Sequence, residues 1–328
     1  MTTPLHRSFR IFSLTPLPRL VPYRLLVLAC PVVALAALGL GHLDRDLPWL
    51  ADLATHWVWP AIGVSLAACL FGSVKERLLS VASWSLCAGL LAAAAPAGRN
   101  VTPAGVAVRL ASANVLSTNT NYAAFENWVQ LTQPGVITVL EVNAPWGAAL
   151  EGLAGYPYRK IVVRDDNFGI ALLSKFPMTA EVVTPSSLAH LFPPSISAMV
   201  SVPGAQPLKV IATHPVPPVS AEAHAARGVQ LAYFGDEARA YAGPAVVMGD
   251  FNATAWSSVM LRLERRGLTR LTGLEPSWPA TGLPWALISI DHLIANKGVL
   301  SGTTRIGPGI GSDHRPLEAV VRIPEKKQ

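Results

Sequence analysis

Cysteine is scarce in this 328-residue chain: there are three, Cys30, Cys69 and Cys87, and none follows. The region after Cys87 therefore excludes a disulfide framework and a thiolate metal centre. Charge is scarce as well. Asp, Glu, Lys and Arg make up 14% of the residues, against about a quarter in a typical soluble domain, and the mean hydropathy is +0.38. The formal net charge of +6 is unevenly spread. From Val101 onward 18 Lys and Arg face 16 Asp and Glu, a net of +2. That balance excludes the strongly basic character of a generic DNA-binding domain. The one local basic cluster, "RLERRGLTR" at 262–270, reads as the exposed face of a helix. Internal repeats are absent, and the only biased tract is Ala-rich, near residue 92.

What is present first is apolar length. Uncharged stretches run from Leu25 to Leu43, Leu53 to Val74 and Leu78 to Gly98, spanning 19, 22 and 21 residues. A helix needs roughly 20 residues to cross the hydrocarbon core, so three transmembrane helices are expected over 25–98. Trp57, Trp59 and Trp84 read as interfacial or core residues of these spans. Arg7, Arg10, Arg19 and Arg24 precede the first span, and Lys75 and Arg77 separate the second from the third. Only Arg45 and Arg99 stand on the other side. Six basic residues against two place the N-terminus in the cytoplasm and, after three crossings, the rest of the chain outside it. A cleaved signal peptide is the competing reading of the first span, but its leader is long and two more spans follow. The "AAAAPAG" at 92–98 leaves open a processing site.

The expected organisation is a basic leader over 1–24, the spans over 25–98, a linker over 99–105 and a catalytic domain over 106–328. In that domain the pattern changes to short strands and amphipathic helices. Strands are expected at "VAVRLASANV" (106–115), "GVITVLEV" (135–142), "YRKIVVR", "FGIALLSK", "SAMVSVP", "LKVIATHP", "ISIDHLIAN" (288–296) and "LEAVVRI" (317–323). Helices are expected at 121–133 and at about 220–242, the latter capped by Ser220. Strands outnumber helices and many links are hairpin-sized, which predicts mixed sheets covered by helices.

"AVVMGDFNAT", at 245–254, raises the question of function. Ala245–Met248 reads as a central strand, apolar on both faces. Asp250 and Asn252 would leave its C-terminal end on one side, since residues two apart point the same way on an extended chain. A plain turn is the alternative, because Asp and Asn favour turns for backbone reasons. The same arrangement recurs, however. Asn114, Glu141, Thr213-His214 and Asp313-His314 also follow apolar strands, and Asp291 lies within another. Lone buried charges cost several kcal/mol unless they are paired or bound to metal. Oxygen-rich donors without cysteine favour Mg2+, Mn2+ or Ca2+ and a phosphoryl substrate.

"SANV", "VLEV", "ATHP", "GDFN", "SIDHL" and "GSDHRP", in this order, resemble the endonuclease/exonuclease/phosphatase superfamily over roughly 106–323. Three spans ahead of such a domain also resemble a bacterial membrane-anchored subgroup. The resemblance implies a four-layer α/β sandwich, two mixed β-sheets face to face with helices outside. It implies Glu141 as the principal metal-binding residue, with Asn114 beside metal and phosphate and Asp313 in the metal group. Asp250 would orient or deprotonate the attacking water, with Asn252 binding phosphate and water. His314 would contact the scissile phosphate, Asp291 would orient His314, and His214 would be the candidate acid for the leaving oxygen.

The first motif departs from repair nucleases, which carry an acid where Leu116 stands, and no basic or aromatic insertion suited to gripping DNA is present. Arg227 and Asn167 are candidate phosphate contacts. A solvated helix arginine and a turn are the alternatives. His224 and His292 read as structural. The expected function is hydrolysis of a phosphate ester, whether lipid, small molecule or nucleic acid, with the bilayer as the other partner and no protein partner inferable. A binding protein of the same fold is the rival outside enzymes, although such a site would not require every carboxylate and histidine.

Overall fold

The computed structural model describes residues 47–56, 74, 78, 81, 104–185, 192–282 and 287–326. Its elements in chain order are α1 (Trp49–Thr55), β1 (Val106–Asn114), α2 (Tyr122–Thr132), β2 (Val136–Leu140), α3 (Ala144–Gly152), β3 (Tyr158–Val162), β4 (Ile170–Ser174), β5 (Met178–Val183), β6 (Ser195–Val200), β7 (Leu208–Ala212), α4 (Ala221–Ala240), β8 (Ala245–Asp250), α5 (Ser258–Arg265), β9 (Thr269–Arg270), β10 (Asp291–Ala295), β11 (Ser301–Ile306) and β12 (Leu317–Ile323). They build two six-stranded sheets, in the orders β11-β12-β1-β2-β4-β3 and β5-β6-β7-β8-β10-β9. Each sheet is mixed, with one parallel pair near its centre, β1 with β2 and β7 with β8.

Alternation along the strands sorts the apolar residues into three layers of core. Val108, Leu110, Val136 and Leu140 meet Val210, Val246, Met248 and Leu293 between the sheets. The intervening Ala111, Ile137 and Val139 face α2 and α3 through Phe125, Trp128 and Trp146. On the far side, Ile211, Ala245 and Val247 pack on Leu231, Phe234 and Leu263 of α4 and α5. Strands buried on both faces read as continuous apolar runs, which is why the β2 and β8 sequences carry no polar alternation. The result is a sandwich of helices, sheet, sheet and helices.

The expected strands are present, and Ser220 caps α4 by accepting the Ala223 N–H at 3.1 Å. The sequence leaves five elements without an expectation of their own: α1, α3, β5, β9 and β11. The basic stretch 262–270 departs from the expectation of a solvated face. Arg265 and Arg266 are exposed, but Arg262 and Arg270 are buried, and the Arg270 Nε lies 2.8 Å from a Glu264 carboxylate oxygen. A strand turns Arg270 inward, which helical spacing did not anticipate.

The three expected spans fall almost wholly outside the described residues, and among those described no helix is long and apolar enough to cross a membrane. One boundary is corrected. Thr55 and His56, expected at the start of the second span, are buried at the end of α1. This short helix sits on the catalytic domain, where the Trp49 indole donates to the Pro218 carbonyl at 2.6 Å.

Close approach of the parallel strands β7 and β8 requires a residue without a side chain at position 249. Gly249 has φ +149°, and a Cβ there would lie 2.0 Å from the Thr213 carbonyl oxygen. Gly249→Ala should therefore destabilise the domain by about 1–3 kcal/mol, the cost of forced backbone strain. Gly152→Ala, where a Cβ meets nothing within 4 Å, should be neutral or slightly stabilising. Equal thermal unfolding midpoints for the two variants would refute this account.

Candidate active site

The functional side chains gather where strand ends from both sheets reach one rim, the usual location of ligands in α/β sheets. Asn114 closes β1, Glu141 follows β2, His214 follows β7 by two residues and Asp250 closes β8. Asp291 begins β10, directly opposite Asp250 in the antiparallel register, and His314 arrives on the loop before β12. These residues are buried. The backbone is contorted to bring them there. Of the five non-glycine residues with positive φ among the described residues, four are Leu116, Glu141, Asn167 and Asn252, all close to this rim in sequence or contact. Such outliers persist only where surrounding structure fixes them.

Asn114 is the link between the sheets. Its Nδ2 donates to Glu141 Oε1 at 3.0 Å and approaches Asp250 Oδ2 at 3.4 Å. The other Glu141 oxygen accepts the Ser117 N–H at 3.2 Å. Among the described residues no cationic side chain pairs with Glu141. A carboxylate at a cleft floor, satisfied only by neutral donors, fits a hard divalent cation. Asp250, Asp291 and His314 also offer ligand atoms within 4.8 Å of one another. There the positive charge is already supplied by His314, and a protonated imidazole cannot ligate a metal.

The His314 Nδ1 lies 2.8 Å from Asp291 Oδ2, and its Nε2 lies 3.6 Å from Asp250 Oδ2. Burial disfavours the imidazolium, but the charges of Asp291 and Asp250 and the Asp291 hydrogen bond outweigh it, raising His314 to about 10. Burial likewise opposes ionisation of Asp250. The charge of His314 and the neighbouring His214 outweigh it, with help from the Asn252 N–H, and lower Asp250 to about 2. Burial pushes Asp291 upward, yet imidazole is much the stronger base, so the ion pair persists at neutral pH. His214 places Nε2 3.5 Å from Asp250 Oδ2, while its Nδ1 is buried without a hydrogen-bond partner.

Four expectations change in detail. Asn252 lines the cleft, but β8 ends at Asp250 and Asn252 is left-handed at φ +50°, so strand alternation does not aim it. Its Nδ2 donates to the Pro215 carbonyl at 3.1 Å, and its backbone N–H reaches Asp250 Oδ1 at 2.8 Å. Asp313 lines the cleft with Glu141, and its Oδ2 accepts the Trp278 indole N–H at 3.0 Å. Asn167 is on the cleft wall and accepts the Ser117 hydroxyl at 2.5 Å. Arg227 is neither solvated nor a phosphate contact. It is 1% exposed, with Nη2 2.7 Å from Asp52 Oδ2 and Nη1 on the Asn252 carbonyl. Helical spacing cannot reveal a partner 175 residues away.

His224 and His292 are structural, as expected. His224 bonds Asp52 at 3.1 Å. His292 sits between the Thr272 hydroxyl and the Ala253 carbonyl, and burial lowers it to about 3.

The sequence profile of the Endonuclease/Exonuclease/phosphatase family matches residues 111–314. The chain belongs to this family. No curated protein matches it by sequence. Solved structures resemble the fold. An endonuclease/exonuclease/phosphatase from Beutenbergia cavernae is 19% identical with a TM-score of 0.54, over 66% of this chain and 72% of that one. D. rerio TDP2 complexed with single strand DNA product is 15% identical, TM-score 0.53, over 66% and 99%. Staphylococcus aureus beta toxin is 14% identical, TM-score 0.52, over 65% and 99%. Members of this family are phosphodiesterase or nuclease hydrolases, and the chain is a phosphoric ester hydrolase by that membership.

The residues missing from the sequence reading are those of the surrounding wall: Trp49, Leu53, His56, Phe168 and Trp278. Phe168, with its ring 5.4 Å from that of His214, follows the Asn167 turn and was within reach of a local motif. Trp49, Leu53 and His56 carried no signal, because they border an apolar run.

His314 should remain an imidazolium through neutral pH and titrate near 10. With its folded value above the ordinary 6.5, the stability it contributes is complete below pH 6.5 and lost as pH rises through about 10. Asp291→Asn should bring the titration down, as read from the ring 15N shifts of His314. An unchanged midpoint in that variant would show that Asp291 does not set the charge.

Proposed function

We propose that this chain is a divalent-metal-dependent phosphoesterase that hydrolyses a phosphodiester or phosphomonoester by in-line attack of water. The observation that carries the reading is the buried, ionised Asp250 set between two imidazoles and facing the Asn114–Glu141 pair. Glu141 would hold the cation, Mg2+ or Mn2+ with Ca2+ also accommodated by oxygen donors, and Asn114 would fix its carboxylate. When bound, the cation supplies Lewis acidity to a non-bridging phosphate oxygen.

The chain's own residues do the rest. Asp250 stays ionised at any physiological pH, so its Oδ2, which Asn114, His214 and His314 approach only at 3.4–3.6 Å, would accept a hydrogen bond from the water and direct a lone pair at phosphorus. The Asn252 N–H occupies Oδ1 and fixes the carboxylate plane. His314, cationic and aimed by Asp291, donates from Nε2 to the phosphate as negative charge grows. His214 is positioned to protonate the leaving oxygen through Nε2. Asn167, on the cleft wall, would contact the substrate phosphate.

The described cleft lining contains no Lys or Arg. Proteins that grip a nucleic acid neutralise a run of phosphates with such residues, so we favour a substrate with a single phosphate over DNA or RNA. A nuclease is the second reading, favoured by the single strand DNA product bound to D. rerio TDP2.

Glu141→Gln should weaken Mg2+ or Mn2+ binding while leaving thermal stability of the metal-free protein nearly unchanged. Asp250→Asn should lower kcat by about 10²–10⁴-fold, the range of general acid–base catalysis, with little change in KM. Calorimetry showing wild-type metal affinity in Glu141→Gln, or a full-speed Asp250→Asn enzyme, would refute these roles.

We also propose that the protein is anchored in the bilayer by three spans, with the catalytic domain extracytoplasmic. Support comes from α1. The charge asymmetry puts the loop after the first span on the same side as the catalytic domain, and the two are in contact through Asp52. Alkaline phosphatase fused after Gln328 should be active in cells. An inactive fusion, with a fluorescent protein bright at the same position, would reverse the topology.

A further inference from the structure

The α1 segment reaches the catalytic domain from about fifty residues upstream, and the latch that holds it is a buried ion cluster. Asp52 is fully buried. Its Oδ2 lies 2.7 Å from Arg227 Nη2 and 3.1 Å from His224 Nε2, and it accepts the Ser257 hydroxyl at 2.8 Å. Its Oδ1 accepts the Ser258 N–H at 2.7 Å. Burial works against this carboxylate, but the His224 bond, the Arg227 charge and the Ser258 N–H hold it well below the usual carboxylate range. Arg227 passes the restraint on, donating to the carbonyl of Asn252 in the catalytic loop.

Latched in this way, α1 forms one wall of the cleft, whose volume is about 630 Å3. Trp49 and Leu53 stand there with Pro217, Pro218, Ile288 and Ile290, while the catalytic groups form the floor. His56 also lines the cleft, with a buried Nε2 that has no hydrogen-bond partner among the described residues. An apolar wall above a polar floor, without Lys or Arg among the described lining residues, suits a ligand with a phosphate and an apolar arm.

We propose that the Leu47–His56 segment is the specificity wall of this enzyme, selecting phosphate esters whose ester group next to phosphorus is apolar. The inference rests on the phosphoesterase reading above and adds the substrate's second half to it. The arm's chemistry is common to a lipid in a bilayer and to a soluble alkyl ester.

The test uses the full-length protein with Mn2+ and two substrates that share a leaving group, methyl p-nitrophenyl phosphate and its n-hexyl homologue. The wild type should favour the hexyl ester by about tenfold or more in kcat/KM, since each buried methylene is worth about 0.8 kcal/mol. Leu53→Ser and Asp52→Asn should collapse that ratio towards one, mainly through KM for the hexyl ester. Leu131→Ser, an exposed site on α2, should keep it. Asp52→Asn should also raise hydrogen exchange across 49–56 and 252–258, a readout independent of turnover. A hexyl preference that survives both wall variants, or unaltered exchange, overturns the inference while leaving the phosphoesterase reading intact. No hydrolysis of either ester or of the monoester control, p-nitrophenyl phosphate, overturns the phosphoesterase reading itself; turnover of the monoester alone overturns the inference. Turnover of phosphatidylglycerol in vesicles identifies a lipid source for the arm; turnover of the monomeric hexyl ester alone identifies a soluble one.

Discussion

The Asn114 carboxamide is the contact on which the site depends. Two sheets packed face to face by apolar side chains have no intrinsic register, because the hydrophobic effect is non-directional. At the rim, Asn114 on the first sheet reaches both Glu141 beside it and Asp250 on the second. One amide thus relates the position of the Glu141 carboxylate to that of Asp250. Hydrogen bonds to charged acceptors are roughly twice as strong as neutral ones, and burial makes an unmet carboxylate costly. The apolar layers supply the stability of the sandwich, and this polar seam supplies its alignment where chemistry requires it.

Electrostatics then divides three carboxylates among three functions. Asp291 is committed to His314, and that pair behaves as a fixed cationic donor. Asp250 is kept ionised by the imidazoles on either side. Glu141 has only neutral donors, which leaves its charge available to a cation. A site in which every acid was paired with an internal base would have no place for metal, and one without any pair would accumulate negative charge that repels a phosphate. The mixed arrangement resolves both problems, and it follows from which strand end each acid occupies.

Much of this was legible because it is local. The runs before Asp250 and Glu141 are apolar at every position, so a carboxylate at the end of each marks the rim of a buried strand. His314 is announced by the motif around it. What was not legible depends on distance in sequence or on backbone conformation. Asn252 appeared to share a face with Asp250 by strand alternation, but the left-handed turn after Gly249-Asp250 sends its carboxamide to Pro215. Arg227 looked like a solvated helix residue, because nothing in "AHAARGVQL" indicates that Asp52 will bury it. Asp52 itself stands beside an uncharged stretch, with nothing local to mark it as the partner of Arg227.

That last residue changes how the chain's two regions relate. Removing one partner of a buried ion pair typically costs about 3–5 kcal/mol, since the other charge is left uncompensated. Asp52 forms a pair of that kind with Arg227, which also contacts the catalytic loop through the Asn252 carbonyl. The upstream segment thus contributes a buried carboxylate to the catalytic domain from about fifty residues before it. An anchor joined only by a flexible tether would need no such carboxylate. A segment that reaches the domain, lines its cleft and pairs with its buried arginine makes the upstream region part of the enzyme's architecture.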